Sequence, residues 1–223
     1  MVEIEIKNNK FHKDTFDKTT EERRQKVLEV AINEFASNGY AATSINDISR
    51  KANISIGAMY SYFASKEDLF LSIVNNAYFL MDKILKDVEE NSRDIFDCIE
   101  KMVVASRKFA IEYPQLNRIY LDITTQALSH ISIRLSDKLE IITPQLLNNL
   151  IKKAKDEGKV NVDIDEKVAA YCMDNIFTMY QFSFSSDYYK ERLKIYIGED
   201  KLNDIAEVEK SIVNFILAAM IKK

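Results

Sequence analysis

The sequence is poor in the residues that end or redirect a regular backbone. Only four glycines and two prolines occur among its 223 residues, and tryptophan is absent. A β-sandwich or β-barrel needs many tight turns, and such turns draw heavily on glycine and proline. Because 47% of the residues are apolar, the chain can still form a substantial core. The sequence therefore predicts an all-α protein.

Cysteine and histidine are also scarce. Cys98 and Cys172 lie far apart without metal-ligand spacing, and we expect both to be small core residues in a reducing cytoplasm. His12 and His130 have no cysteine, serine or acidic partner at a catalytic or metal-binding spacing. Glycine-rich phosphate loops and G-x-S-x-G elements are missing. We therefore predict that the protein is not an enzyme and has no metal or cofactor.

Long apolar runs and a strong basic charge are missing as well. No run reaches transmembrane length, and the first residues are too charged for a secretory signal, so we expect a cytoplasmic protein without a membrane partner. The net charge of −4 counts mildly against nucleic-acid binding. However, residues 44–66 carry three cations against one anion. So small a basic face predicts weak non-specific DNA binding, and affinity would need dimerisation and groove fit.

Signals for successive short helices fill residues 19–69. Thr19 precedes Glu22 at a capping-box spacing, and Gly39 follows the apolar stripe of this first helix. Ser44 repeats the cap spacing for a second helix, and Ser55 does so for a third. Asn53 suits a left-handed turn between the last two. This order predicts a helix-turn-helix unit.

The third of these helices has small residues at its beginning. Ser55, Ile56, Gly57 and Ala58 would allow its backbone to approach base edges in a major groove, and a helix N-terminus favours a phosphate. The groups expected to hold phosphates on either side are Tyr60, Ser61, Tyr62 and Lys66.

Residues 43–69 read T-S-I-x-D-I-x-x-x-A-x-I-S-x-G-x-x-Y-x-Y-F-x-S-K-E-D-L. This order resembles the DNA-binding domain of the tetracycline-repressor (TetR) family of transcription regulators. The resemblance implies that Ser44 contacts a phosphate, that Asn46 adds a base or backbone contact, and that residues 55–58 face the bases. It also implies a homodimer that binds an operator in double-stranded DNA, usually as a repressor.

The predicted organisation is an N-terminal arm (1–18), a three-helix DNA-binding domain (19–66) and a C-terminal helical domain for effector binding and dimerisation (67–223). The arm is expected to be mobile, with Lys10 and Lys13 among lysines able to reach DNA, or simply a solvated tail. An unbroken helix over 66–90 would couple the domains mechanically, since no Gly or Pro linker intervenes. Pro144 should kink or divide a helix over 129–156.

In the family resembled, the last two large helices form the dimer interface, here 166–184 and 203–222. The expected interface residues are Ile176, Tyr180, Val208, Ile212, Phe215, Ile216 and Ala219. The family also implies an effector pocket among the middle helices, and methionine and aromatic side chains there favour an apolar small molecule. The candidate lining is Tyr78, Met81, Phe109, Tyr120, Met173, Phe177 and Tyr180. Each could equally be an ordinary core residue.

One alternative remains open at this stage. A helical interaction protein of the same fold could lack the small-molecule switch, or could have lost DNA binding altogether. Loss of DNA binding would be marked by bulky or acidic residues at the start of the third helix, and Ser55 to Ala58 are neither.

Overall fold

A computed structural model describes residues 10–132 and 141–221, and within these ranges the regular structure is helical, without strands. The first helices are α1 (Asp14–Asp17), α2 (Glu21–Ala42), α3 (Ile45–Lys51), α4 (Ile56–Tyr62) and α5 (Lys66–Glu90). They are followed by α6 (Ile95–Glu112), α7 (Pro114–Ile123) and a 3₁₀ turn (Gln126–Leu128). The remaining helices are α8 (Ile142–Asp156), α9 (Glu166–Phe182), α10 (Asp187–Ile197), α11 (Glu199–Leu202) and α12 (Ile205–Met220). The all-α prediction is confirmed.

The described chain forms two compact units. The first contains residues 10–79 and 118–132, and the second contains residues 80–117 and 141–221. Helices α5 and α7 each begin in one unit and end in the other. The first unit extends to residue 79, so the domain boundary predicted at residue 67 falls inside it. The unit boundary lies within α5 because this helix runs without a break from Lys66 to Glu90, as the apolar period predicts.

The core of the first unit is built from aromatic side chains on short helices. Phe35 contacts Phe70 edge-on with ring centroids 5.0 Å apart, and Met59 and Phe63, one helical turn apart in the sequence, are both buried. The core of the second unit is formed by α6, α8, α9 and α12, with side chains such as Cys98 and Leu147 fully buried.

Several helix ends differ from the sequence-based prediction. The cap of α2 is Thr20 rather than Thr19, because the Thr19 N–H donates to the Phe16 carbonyl and closes the preceding turn. Gly39 breaks the helical dihedrals of α2 with a φ of 73°, although helical hydrogen bonding resumes as far as Ala42. Pro144 lies in the first turn of α8, where a missing N–H costs no helical hydrogen bond. The predicted start of that helix includes residues 133–140, which lie outside the described residues.

The cysteine prediction is half correct. Cys98 is buried in the second core, whereas Cys172 is exposed on α9. This helix carries more apolar residues than one core face requires, and Tyr171 beside Cys172 is exposed too, so periodicity alone placed Cys172 wrongly.

Candidate functional site

The predicted turn between α3 and α4 is present. Asn53 adopts a left-handed φ of 55°, and its N–H donates to the Arg50 carbonyl at 3.1 Å. The next N–H, of Ile54, donates to the Ser49 carbonyl at 3.0 Å. These bonds satisfy carbonyl groups at the end of α3 and turn the chain sharply into α4. The asparagine tolerates this conformation at lower cost than most side chains would.

Both helices of this motif begin at the predicted serine caps. The Ser44 hydroxyl accepts from the Asn46 N–H at 3.2 Å, and the Ser55 hydroxyl accepts from the Ala58 N–H at 3.0 Å. The next cap, Ser65, accepts from the Asp68 N–H at 3.0 Å and starts α5. Such caps fix where each helix begins, and therefore which residues occupy its first turn.

The beginning of α4 is accessible to a partner. Ser55, Ile56 and Gly57 are exposed, and Ala58 is half-buried. A side chain added at Gly57 would meet only the Ser55 hydroxyl, 3.9 Å from the new Cβ. Asn46 on α3 is also exposed. The first turn of α4 therefore presents little bulk, as close approach of a helix to base edges requires.

Among the residues predicted to hold phosphates, Tyr60 and Ser61 are exposed. The Ser61 hydroxyl donates to the Ala58 carbonyl at 2.7 Å, so its oxygen can still accept but its proton is engaged. The prediction for Tyr62 is wrong, because its side chain is only 6% exposed and its ring packs against Phe16 with centroids 5.3 Å apart. The phenol is thus part of the core of the unit.

The ammonium of Lys66, predicted to hold a phosphate, is engaged within the molecule in this structure. Its ammonium donates to three carbonyl groups at the end of α2, those of Tyr40 at 2.8 Å, Ala41 at 3.2 Å and Thr43 at 3.1 Å. It also lies 4.6 Å from the centroid of the Tyr40 ring, a cation–π distance. All three protons of the ammonium are used within the molecule. Lys66 therefore joins the start of α5 to the end of α2.

The other two cations of this region are paired with carboxylates. The Arg50 guanidinium lies 2.6 Å from Asp47, and the Lys51 ammonium forms an ion pair with Glu34. The Arg50 side chain is 75% exposed, so its pair is weak and can be exchanged for a phosphate. The electrostatic attraction of this face for DNA is consequently smaller than the residue count suggests.

The N-terminal segment differs from the expected mobile arm. Residues 13–17 include the single turn α1, and Phe16 is buried against the end of α4. The Lys13 side chain donates to the Tyr60 carbonyl at 2.8 Å, and Lys10 pairs with two aspartates of α1. These lysines are therefore engaged within the molecule. The rest of the predicted arm, residues 1–9, lies outside the described residues.

The end of α2, which already binds the Lys66 ammonium, makes a second contact with a residue distant in the sequence. The Tyr40 N–H donates to the Asp122 carboxylate of α7 at 3.1 Å. Gly39 makes this approach possible, since a Cβ there would lie 3.7 Å from the same carboxylate oxygen and its φ is positive. Helix α7 is thereby attached, within the first unit, to the helix that precedes the motif. The sequence carries no local signal for a contact across 82 residues.

The residues predicted to line an effector pocket do not form one set. Tyr78 and Tyr120 belong to the first unit, and the other five belong to the second. Met173, Phe177 and Tyr180 are part of the buried core of the second unit, Met81 packs against that core, and Phe109 is buried too. For the three α9 residues, the reading as core side chains describes the structure better than the pocket reading.

The second unit contains buried polar groups that the sequence analysis did not single out. The Arg107 guanidinium donates to the Glu209 carboxylate at 2.7 Å, and the Tyr180 hydroxyl donates to the same oxygen at 3.3 Å. Burial raises the pKa of Tyr180, and the charge of Glu209 raises it further, so the phenol stays protonated. This cluster joins α6, α9 and α12, and no spacing in the sequence predicts it.

A second buried polar contact joins α7 to the end of α9. The Asn117 amide is fully buried and donates to the Gln181 carbonyl at 3.5 Å, while the Gln181 side-chain amide donates back to the Asn117 oxygen. Asn117 also bonds the Ser185 hydroxyl. Paired amides of this kind fix one relative position of two helices.

The residues predicted for a dimer interface point in different directions. Tyr180, Val208 and Ile216 are buried in the core of their own unit, at 3–7% exposure, so that part of the prediction is corrected. Phe215 and Ala219 are exposed, and Ile176 and Ile212 are half-buried. The exposed apolar surface on α9 includes residues that the prediction omitted, and these are Val168, Tyr171 and Met179.

A partly open cavity of about 270 Å³ lies beside this surface. Its walls come from α9, α10, α11 and α12 and are mainly apolar. The lining residues are Ile176, Ile197, Lys201, Glu207, Val208, Ser211, Ile212 and Phe215. Four of the seven predicted interface residues therefore border one concave surface. In the described part of the chain, no helix is long and apolar enough to cross a membrane, and no metal-binding cluster is found.

Comparison with known proteins gives a consistent pattern. The family model for bacterial regulatory proteins of the tetR family matches residues 27–73. The chain is 44% identical over 57 residues to the uncharacterised HTH-type transcriptional regulator YuxN of Bacillus subtilis, a match that covers 26% of this chain and 20% of that protein. It is 26% identical over 167 residues to the probable acrEF/envCD operon repressor of Escherichia coli, covering 70% of this chain and 72% of that one. The chain thus spans only a fifth of the first of these relatives.

Solved structures agree on the fold. The regulator FadR from Bacillus subtilis, in complex with stearoyl-CoA, aligns with a TM-score of 0.67 at 14% identity, covering 86% of this chain and 97% of that chain. At this identity the likeness concerns the fold alone. It extends over the second unit, where no motif could be identified in the sequence.

Proposed function

Because the chain belongs to the tetR family of bacterial regulatory proteins, we propose that it is a cytoplasmic repressor that binds a near-palindromic operator as a homodimer and is released by a largely apolar small molecule. Members of this family are DNA-binding regulators, so the prediction that the chain is not an enzyme is confirmed. The homologues include repressors. The near-palindromic operator, the homodimer and the apolar effector are what we propose beyond this.

The proposal rests first on the accessible face at the beginning of α4. Ser55 fixes the start of this helix, and the side chains that follow it are small or of moderate size and at least partly exposed. Ser44 and Asn46 at the start of α3 and Tyr60 near the end of α4 supply polar groups for the flanking phosphates, and Ser61 would do so once its hydroxyl turns away from the Ala58 carbonyl. Lys66 and Tyr62 are withdrawn from this role, and Arg50 takes the place of the phosphate-binding cation.

Dimerisation through α9 and α12 is supported by their exposed apolar side chains. Tyr171 is 70% exposed and Phe215 is 69% exposed. Large exposed apolar patches are unusual on monomers and are typical of subunit interfaces. An operator with half-sites one helical turn apart requires the two α4 helices of such a dimer to lie roughly 34 Å or slightly more apart.

The effector site is proposed in the second unit. Its candidate lining there is Met81 and Phe109, together with whichever of the core residues move aside for the ligand, and Tyr78 and Tyr120 are left out because they belong to the first unit. Methionine and aromatic side chains can repack around an apolar molecule. The FadR neighbour was solved with stearoyl-CoA, which supports an effector with a long apolar part.

Helix α7 is the proposed route from the effector to the DNA-binding unit. One part of it, at Asn117, is bonded to the end of α9, and another, at Asp122, is bonded to the Tyr40 N–H. A ligand that shifts α7 would strain the second bond and bias the position of α2. A coupling of about 1–3 kcal/mol would change operator affinity roughly five- to over a hundredfold.

The observation that carries the proposal is the small, exposed first turn of α4, and DNA selection tests it. The full-length protein should select an inverted repeat from a random duplex pool. Ala58→Arg should change the selected half-site or abolish selection, because a bulky cation would stand at the base edges. Ile111→Arg on α6, an equally drastic change at an exposed site, should select the same sequence as the wild type. Selection of no common sequence by the folded wild type would refute the proposal.

The second candidate function is a protein of the same fold without a small-molecule switch. The burial of Met173, Phe177 and Tyr180 in a continuous core favours it, because an effector would have to displace them. A thermal-shift screen of apolar and acyl compounds separates the two candidates. A ligand that raises the unfolding midpoint and lowers operator affinity supports the switch. Operator binding that no stabilising ligand changes supports the second candidate.

A further inference from the structure

The short helix α4 depends on other parts of the chain for its position. It has seven residues, and helices shorter than about 12–15 residues are marginal by themselves in water. No N–H group within the helix donates to its last four carbonyl groups, those of residues 59–62. The structure supplies a donor for every one of them.

The four donors come mainly from the N-terminal segment. The Phe63 N–H donates to the Met59 carbonyl at 2.9 Å, which is a local bond. The Lys13 ammonium donates to the Tyr60 carbonyl at 2.8 Å, and the Thr15 hydroxyl donates to the Ser61 carbonyl. The Lys13 N–H donates to the Tyr62 carbonyl at 2.8 Å. Three of the four bonds thus span more than 40 residues of sequence.

Apolar packing reinforces these bonds. Phe16 is 3% exposed, and its ring centroid lies 5.3 Å from that of Tyr62 and 4.8 Å from that of Phe63. Lys13 also places a positive charge at the negative end of the α4 dipole. The segment 13–16, which we name the clamp segment, therefore contacts the end of α4 through both backbone and side chains.

We propose that the clamp segment positions α4 for DNA binding and so determines operator affinity. The inference rests on the proposed function, because it assigns a role in that function to residues outside the helix-turn-helix motif. The accessible first turn of α4 is held by its own Ser55 cap, whereas the opposite end is held by the clamp segment. When the clamp is weakened, the end of α4 loosens, and DNA binding must reorder it at a cost in affinity.

A proline at position 13 isolates the backbone bond. Lys13 has φ −84° and ψ 158°, close to the conformation that proline prefers, so Lys13→Pro should remove the N–H with little distortion. Lys13→Ala is the matched control, since both variants lose the ammonium but only the proline loses the bond to the buried Tyr62. We expect Lys13→Pro to raise the operator Kd about fivefold or more relative to Lys13→Ala. Affinity for random-sequence duplex should be equal in the two variants.

Two further pairs test the side chains. Phe16→Ala should weaken operator binding more than Phe16→Leu, which keeps most of the apolar contact. Thr15→Val should weaken it slightly, and Thr15→Ser, which keeps the hydroxyl, should restore it. Thr124→Val is a control at an exposed threonine whose hydroxyl donates to a carbonyl three residues away on α7. All binding is measured at a temperature at which circular dichroism shows each variant fully folded.

Amide hydrogen exchange gives a readout that does not depend on DNA. In Lys13→Pro, the amides in the last turn of α4 should exchange faster than in Lys13→Ala, while those of α3 stay unchanged. Equal exchange in α4 and equal operator affinity in the two folded variants would overturn the positioning role. Equal losses of operator and random-sequence binding would also overturn it. If the wild type selects no operator, the proposed function fails, and the exchange comparison alone decides whether the clamp holds α4.

Discussion

The two units differ in the groups that they leave exposed at their surfaces. In the first unit, the ends of short helices are closed by serine caps, by Lys66 and by the clamp segment, and its accessible face carries small side chains. In the second unit, large apolar side chains on α9 and α12 remain exposed, with Tyr171 and Phe215 at about 70%. The described part of the first unit therefore closes its helix ends with its own side chains and backbone, whereas the second unit offers an apolar surface for a further subunit to cover.

The largest effect is expected from charging this apolar surface. Phe215→Glu should convert the proposed dimer to a monomer, because a carboxylate would be buried at the interface. Loss of the second reading helix should reduce operator affinity by a hundredfold or more, about 3 kcal/mol. Sedimentation and operator titration measure the two effects. Ile111→Glu, the same kind of change at an exposed position of α6, should leave both unchanged, and a dimeric Phe215→Glu protein would place the interface elsewhere.

The next effect concerns the buried ion pair that supports this surface from inside. Arg107→Met should lower the free energy of unfolding by about 2–4 kcal/mol, because Glu209 would remain buried without a cation. The double variant Arg107→Met/Glu209→Leu should recover most of the loss, as apolar pairs often replace buried ion pairs. Denaturant unfolding of all three variants forms the cycle. Additive losses in the double variant would show that the two groups act independently.

A smaller effect separates the two roles considered for Lys66. Lys66→Met should lower the free energy of unfolding by about 1–2 kcal/mol, since three carbonyl groups lose their donor. It should not change the slope of log affinity against log salt for operator binding. Arg50→Met, at an exposed guanidinium, should reduce that slope by about 1 with little loss of stability. If Lys66→Met reduced the slope and Arg50→Met did not, Lys66 would be the phosphate contact.

The smallest effect is expected at the edge of the reading face. Tyr60→Phe removes one exposed hydroxyl and should weaken binding to all duplex sequences alike, by less than about 1 kcal/mol. Competition between operator and random duplex measures this uniformity. A change in sequence preference would instead mean that the hydroxyl contacts a base edge.

The features that the sequence predicted correctly depend on local spacing. Ser44 and Ser55 cap helices through bonds that reach only two or three residues, and the turn at Asn53 is similarly local. Residue order determines such contacts almost completely. The buried Met59 and Phe63 lie one helical turn apart, which is likewise a local spacing.

The features that the sequence did not predict depend on distant partners. The intramolecular bonds of the Lys66 ammonium could not be foreseen, because their carbonyl acceptors lie 23–26 residues earlier in the chain. Tyr62 lies next to an exposed serine, and its burial comes from Phe16 in a segment expected to be mobile. On α9 and α12, apolar residues occupy more than one face, so periodicity could not separate buried Ile216 from exposed Phe215.

The central claim is that two copies of α4 read one duplex, and site-directed cleavage tests it most directly. Ala64, exposed just beyond α4, would be replaced by cysteine in a Cys172→Ser background and labelled with an iron chelate that cleaves nearby DNA. Cys98 is buried and should not be labelled. The account predicts two zones of cleavage, placed symmetrically about the operator centre. An intact complex in which the label cuts no DNA, or cuts one half-site only, would contradict it.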